Sequence, residues 1–202
     1  MTLRLILSSF VAILALVNPV HKILIITSLQ DKFSDKDLRF LSVKSSITAF
    51  VILILFLLLG ELIFSYVFHI QLYAFQVTCG VVLFYNGITG LQRGMFLQID
   101  GNLKIEDLSA VPIAMPMIAG PATITAAVTF PAHFGRLTTI VAIFLALAVN
   151  LLLMLFARQI GKVLIKYNFM NALIRITGLI VATIGVQLVF NGISNYILTV
   201  IK

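Results

Sequence analysis

Ile118-Ala119-Gly120-Pro121-Ala122-Thr123-Ile124 stands in the middle of an apolar run, residues 110–130, long enough to cross a bilayer. Proline removes a backbone donor, and its ring clashes with the preceding turn. The glycine before it weakens a helix further. In water this pair would mark a loop. In hydrocarbon every freed N–H and C=O needs a partner, so broken backbone survives only where protein buries it or where it lines a polar cavity. The first apolar run, residues 5–29, carries a counterpart at Asn18-Pro19. Two interrupted spans in corresponding places point to a binding site between two halves of a transporter.

The surrounding sequence is of the same character. Of 202 residues, 61% are hydrophobic and 10% charged, against roughly 25% charged in a soluble domain. The chain therefore reads as an all-α, polytopic membrane protein with no soluble domain between its apolar runs. Six runs of spanning length are expected, over residues 5–29, 40–68, 72–92, 110–130, 137–157 and 173–200. The first is basic at Arg4 and then apolar like a signal peptide. It resumes after Pro19 without a small-residue cleavage site, so an uncleaved span is expected. The connections at 30–39, 69–71, 131–136 and 158–170 are read as loops or turns, and residues 93–109 as a cytoplasmic linker between halves 1–92 and 110–202.

The net charge of +7 does not imply nucleic acid, because the basic residues are scattered over short loops without a basic face or an aromatic platform. Lys32, Lys36, Arg39, Lys44, Arg93, Lys104, Arg158, Lys162, Lys166 and Arg175 fall on one side of the six-span arrangement. Only Arg4, Arg136 and Lys202 fall on the other. The positive-inside bias makes the first side cytoplasmic and places both termini outside, in a bacterial or archaeal inner membrane.

The two halves resemble each other. With a shift of 105 positions, Thr78 matches Thr183, Gly80 matches Gly185, and Asn86-Gly87-Ile88 matches Asn191-Gly192-Ile193. A shift of 102 puts Asn18-Pro19 on Gly120-Pro121. Three spans per repeat force the copies into opposite orientations, which gives an inverted-topology architecture with discontinuous helices 1 and 4.

The candidate substrate residues follow from the breaks: Asn18 and Pro19 in the first, and Ala119, Gly120, Pro121 and Thr123 in the second. Asn18 is a good helix cap before a first-turn proline, and it could also bond a solute. The amides after Pro121 form a helix N-terminus, which favours a carboxylate. A packing kink at either place is the alternative. His21 and Lys22 are candidates for proton coupling or for holding a substrate charge; the alternatives are a structural histidine and a lysine snorkelling to the interface. Glu61 is a candidate proton site or gate, or a solvated interfacial carboxylate. Asn86 and Asn191 are secondary candidates for a polar lining, with helix packing as the competing role. Gln76, Asn150 and Gln187 read as interhelical hydrogen-bonding groups, and Cys79 as a small buried hydrophobe. There is no catalytic motif, no zinc spacing and no phosphate loop, so neither an enzyme nor a metal or other cofactor is expected.

These residues resemble the MarC family of bacterial and archaeal six-span membrane proteins, which includes small neutral amino acid transporters. Residues 112–121, Pro-Ile-Ala-Met-Pro-Met-Ile-Ala-Gly-Pro, with Ile124, are similar to the family's P-x-A-x-P-x-x-A-G-P-x-x-I stretch. Asn18-Pro19 resembles the family's first-span N-P, and Gly60-Glu61 its second-span pair. The resemblance implies spans 1 and 4 broken near the binding site and proton-linked transport of solutes such as glycine and alanine. One departure is visible. Where the family usually has glycine and asparagine after N-P, this chain has Val20-His21-Lys22. Expected partners are a neutral amino acid, the lipid bilayer and, for some assemblies, a second copy of the chain. A non-transporting envelope protein (an assembly factor or stress sensor) and a passive small-solute channel are the alternative functions.

Overall fold

The computed structural model describes residues 3–30, 32–93, 109–166 and 169–200, and these contain helices but no strand. Most of the expected linker, with Asp100, Lys104, Glu106 and Asp107, lies outside the described residues, as does Lys202. The helices are α1 (Leu3–Val17), α2 (Pro19–Leu29), α3 (Asp35–Leu62), α4 (Leu72–Arg93), α5 (Pro121–Phe134), α6 (Arg136–Leu155), α7 (Ala157–Lys166) and α8 (Met170–Val200). A π-helical turn, Ile63–Val67, extends α3, and a π-helical segment, Ser109–Ile118, precedes α5.

Among the described residues, five stretches are long and apolar enough to cross a membrane: Leu3–Leu29, Asp35–Gly60, Leu72–Gln92, Arg136–Leu155 and Asn171–Thr199. The first of these joins α1 and α2 across Asn18. The remaining expected span, residues 110–130, is divided between the π-helical segment and α5. Its wide turns suit the sequence. Pro112 and Pro116 have no amide to donate, and the Ala119 amide reaches back five residues to Ala114 O at 2.8 Å.

Two expected loops turn out to be helical. Helix α3 begins at Asp35, inside the stretch read as a connection, because Ser34 and Asp37 cap it. The Ser34 hydroxyl accepts from the Asp37 amide (3.3 Å), and the Asp37 carboxylate accepts from the Ser34 amide (3.2 Å). Residues 157–166, expected to be a basic loop, form α7. Its buried side rests on α2, where Gly161 leaves room for Thr27 and the Thr27 hydroxyl donates to Ala157 O at 3.1 Å. On the exposed side Arg158 pairs with Asp35.

The core is assembled around α6, which packs on α1 and α3, while α3 also covers the π-helical segment and α5. Val17, Ile23, Leu53, Ile118, Ala119, Ile143 and Leu147 belong to one buried cluster. Many large apolar side chains point outward instead, including Leu55, Leu58 and Leu59 on α3 and Phe190 on α8. That distribution suits a protein solvated by lipid.

The most extensive helix pairing joins α4 and α8. Glycines bring the backbones together: a Cβ on Gly80 would lie 2.5 Å from Gly185 O, and one on Gly178 would lie 2.8 Å from Gly87 O. Backbone contact of this kind is how small residues replace the missing hydrophobic drive between helices in lipid. The order of contacts, Gly80 with Gly185 and Gly87 with Gly178, makes the pair antiparallel.

Candidate functional site

The first break is built around Asn18. Its backbone lies in the left-handed region (φ 51, ψ 72), a conformation that asparagine tolerates and branched side chains do not. The chain turns there because Pro19 cannot donate to Ala15 and can start a new helix. The His21 amide, which would have served Val17 in an unbroken helix, is taken by Asn18. It donates to Asn18 O (3.2 Å) and to the side-chain Oδ1 (3.4 Å). Asn18 Nδ2 is buried and has no hydrogen-bond partner among the described residues. Lys22 is 2% exposed, and its ammonium donates to the Val17 carbonyl left over by the break. Its role here is to cap α1, and it does not snorkel. His21 is half-buried next to it.

The second break is extended backbone at Gly120 (φ −94, ψ 178), followed by Pro121 in the first turn of α5. Thr123 closes it. Its hydroxyl accepts from the Gly120 amide (2.9 Å) and directs its hydrogen to Ile118 O (2.8 Å) or Gly120 O (3.0 Å). The Ile124 amide donates to Gly120 O at 2.8 Å. Since Pro121 has no N–H, the Ala122 and Thr123 amides are the donors at the head of α5 that its own turn leaves over. Residues 118–120 and 122–127 are buried.

A cavity of about 280 Å³ lies between α1, α4, α5 and α8. Leu16, two residues before Asn18, and Ala122, two residues after Gly120, both line it. Asn18, Pro19, Ala119, Gly120, Pro121 and Thr123 are not themselves among the residues that line it. Its polar groups are Gln76, Thr125, Thr129, Gln187 and Asn191. Gln76 Oε1 accepts from Asn195 Nδ2 (2.9 Å), and Gln187 Nε2 donates to Asn191 Oδ1 (2.9 Å). The Thr125 hydroxyl is buried without a hydrogen-bond partner among the described residues, and Cys79 is buried with Ala122 and Leu188.

The expected secondary pair separates: Asn191 lines the cavity, whereas Asn86 is exposed on α4 and outside the lining. Glu61 falls in α3, with its side chain outside those described. Thr125 carries a hydroxyl that the sequence already places near the second break, whereas Thr129, Gln76 and Gln187 were not singled out as lining. One signal was available, because Thr125–Thr129 and Gln187–Asn191 are each polar pairs spaced four apart, which puts both members on one helix face.

With this geometry in place, comparison with known proteins identifies the family. Residues 3–197 match the MarC family integral membrane proteins. The chain belongs to the MarC family. A UPF0056 membrane protein of Pyrococcus horikoshii is 36% identical over 200 residues, covering 99% of this chain and 98% of the relative. One of Aquifex aeolicus is 30% identical over 93% of this chain and 91% of its own. Bacillus subtilis YvbG, also a UPF0056 membrane protein, is 28% identical over 92% of each. No solved structure matches. This MarC-family chain is accordingly an integral, multi-pass membrane protein with relatives in bacteria and archaea.

Proposed function

We propose that the chain is a secondary transporter of small neutral amino acids, built as two inverted three-helix repeats and working by alternating access around the two helix breaks. The observation that carries this reading is a cavity whose lining includes Leu16 and Ala122, each two residues from a helix break. Its volume suits a solute the size of glycine or alanine, below the roughly 300–1,000 Å³ of sites for drug-sized ligands. In this reading the π-helical segment and α5 together make the fourth span. The contacts of α4 with α8 support the repeat. The pair Gly87–Gly178 shifts by 105 to the pair Gly192–Tyr73, and a Cβ on Gly192 would indeed lie 2.8 Å from Tyr73 O. A two-fold axis in the membrane plane, passing beside Gly80 and Gly185, accounts for both contacts.

The substrate carboxylate is assigned to the Ala122 and Thr123 amides at the head of α5, where the helix dipole favours an anion. Thr123 contributes its amide, because its hydroxyl is engaged by the break itself. The ammonium is assigned to the Asn18 side-chain oxygen, which has a second lone pair, and to carbonyls beside the second break. Proton coupling, an inner-membrane location and external termini belong to the same reading, with the basic ends of α3 and α7 on the cytoplasmic face.

Purified protein in liposomes is expected to accumulate labelled glycine or alanine under an imposed proton gradient. Flux without accumulation would make the protein a passive channel. No movement of any small solute would remove the transporter reading and favour a non-transporting envelope protein.

A further inference from the structure

The first break leaves an unusual group at the carbonyl end of α1. In a broken transmembrane helix, that end carries the negative pole of the helix dipole and unpaired carbonyls, and it is where a coupling cation is ordinarily held. Here Pro19 supplies no amide, and the His21 amide is turned to Asn18. Val17 O, on a fully buried residue, is left to Lys22, whose ammonium reaches back five residues to it.

Two further buried oxygens lie on α3 and α6, helices that pack on each other. Ser46 lies on α3 and Asn150 on α6, two helices joined by the Phe50–Phe144 contact, and α6 also packs on α1 and α2. Ser46 is 5% exposed and Asn150 is 0% exposed. Ser46 Oγ and Asn150 Oδ1 have no hydrogen-bond partner among the described residues. A carbonyl, a hydroxyl and an amide oxygen are the donor types that a hard monovalent cation takes.

We infer that the Lys22 ammonium is a built-in cation that occupies the alkali-ion position at the broken end of α1, so that the protein works without bound sodium or potassium and acquires a monovalent cation site when Lys22 is removed. The inference rests on the helix-break reading above. It does not depend on which solute is moved, and its test needs no substrate. Lys22 acts here as a specificity-determining and positioning residue.

The test is the Tm of purified protein as sodium chloride replaces choline chloride at constant ionic strength, with potassium and lithium in parallel. Wild type is expected to give a flat line. Lys22→Ala and Lys22→Gln are expected to melt lower in choline. They should regain a few degrees in sodium, with a Tm that rises as the logarithm of its concentration. Lys22→Arg, which keeps a cation, should stay flat. A sodium-, potassium- or lithium-dependent wild-type Tm overturns the inference. So do folded Lys22→Ala and Lys22→Gln proteins that ignore all three ions. Should neither variant stay folded in choline, recovery of monodisperse variant in sodium, potassium or lithium upholds the inference, and loss in all three overturns it. Amino acid accumulation in sodium-free proteoliposomes separates the two readings. Transport there agrees with both, whereas no transport under any gradient, with the ion responses as expected, removes only the transporter.

Discussion

At the residue scale, the two breaks solve the same problem with different groups. Asn18 accepts a left-handed backbone, and its side chain caps α2. Thr123 uses one hydroxyl to satisfy both an amide and a carbonyl around Gly120. Thr123→Val keeps the shape and removes that hydroxyl, leaving two buried backbone groups unpaired. It is expected to lower stability by about 2–6 kcal/mol, at roughly 1–3 per buried group, while Thr123→Ser should be nearly neutral. Thermal melts in detergent distinguish these outcomes. Asn18→Val forces a branched side chain into positive φ and should cost about 1–3 kcal/mol, whereas Asn18→Gly should fold with a smaller loss. Equal melting of the Val and Gly variants would mean that the backbone at this break relaxes. Both positions were legible in the sequence as interruptions, because glycine and proline act on the local backbone. The fate of the Thr123 hydroxyl was not legible, because a hydroxyl at that spacing serves equally as a ligand group or as a cap.

At the element scale, glycine contact decides how α4 meets α8. Gly80→Val places a side chain where the Gly185 carbonyl lies 2.5 Å from the new Cβ. Overpacking of this kind should cost about 1–3 kcal/mol or more, measured as a fall in Tm. Arg158→Ala, by contrast, removes an ion pair whose partners are 47% and 56% exposed. A stability within about 1 kcal/mol of wild type is expected, and a larger loss would show that α7 is held to α3 through this pair. The sequence announced the glycines through the repeated Asn-Gly-Ile triplets but did not name their partners. The boundaries of α3 and α7 were misplaced for a different reason. Charged residues were read as connections, although Ser34 and Asp37 carried a capping box and Arg158, Lys162 and Lys166 recur every four residues along one face.

At the scale of the whole molecule, the proposed orientation follows from basic residues gathered on one face. In a Cys79→Ala background, Lys162→Cys and Arg136→Cys, both exposed positions, report on opposite sides. An impermeant maleimide added to intact cells should label only Arg136→Cys, and permeabilisation should add Lys162→Cys. The reverse pattern would invert the orientation. The cavity makes a separate prediction. Ala12→Phe, on the α1 wall, should abolish a glycine-dependent rise in Tm while preserving the apo melt. An unaltered glycine response would place the site elsewhere.

Apolar length and scattered basic loops determined from sequence alone that this is a helical, multi-pass membrane protein, and the Asn-Pro and Gly-Pro pairs marked where α2 and α5 begin. These are properties of short stretches, set by the bilayer's thickness and by backbone sterics. Only the tertiary structure decided that Leu16 and Ala122 face one cavity, that Asn191 lines it while Asn86 does not, and that Lys22 reaches back to Val17. Those outcomes depend on which helix faces cross and at what depth, and in lipid that is settled by backbone approach at glycines and by the pairing of leftover polar groups.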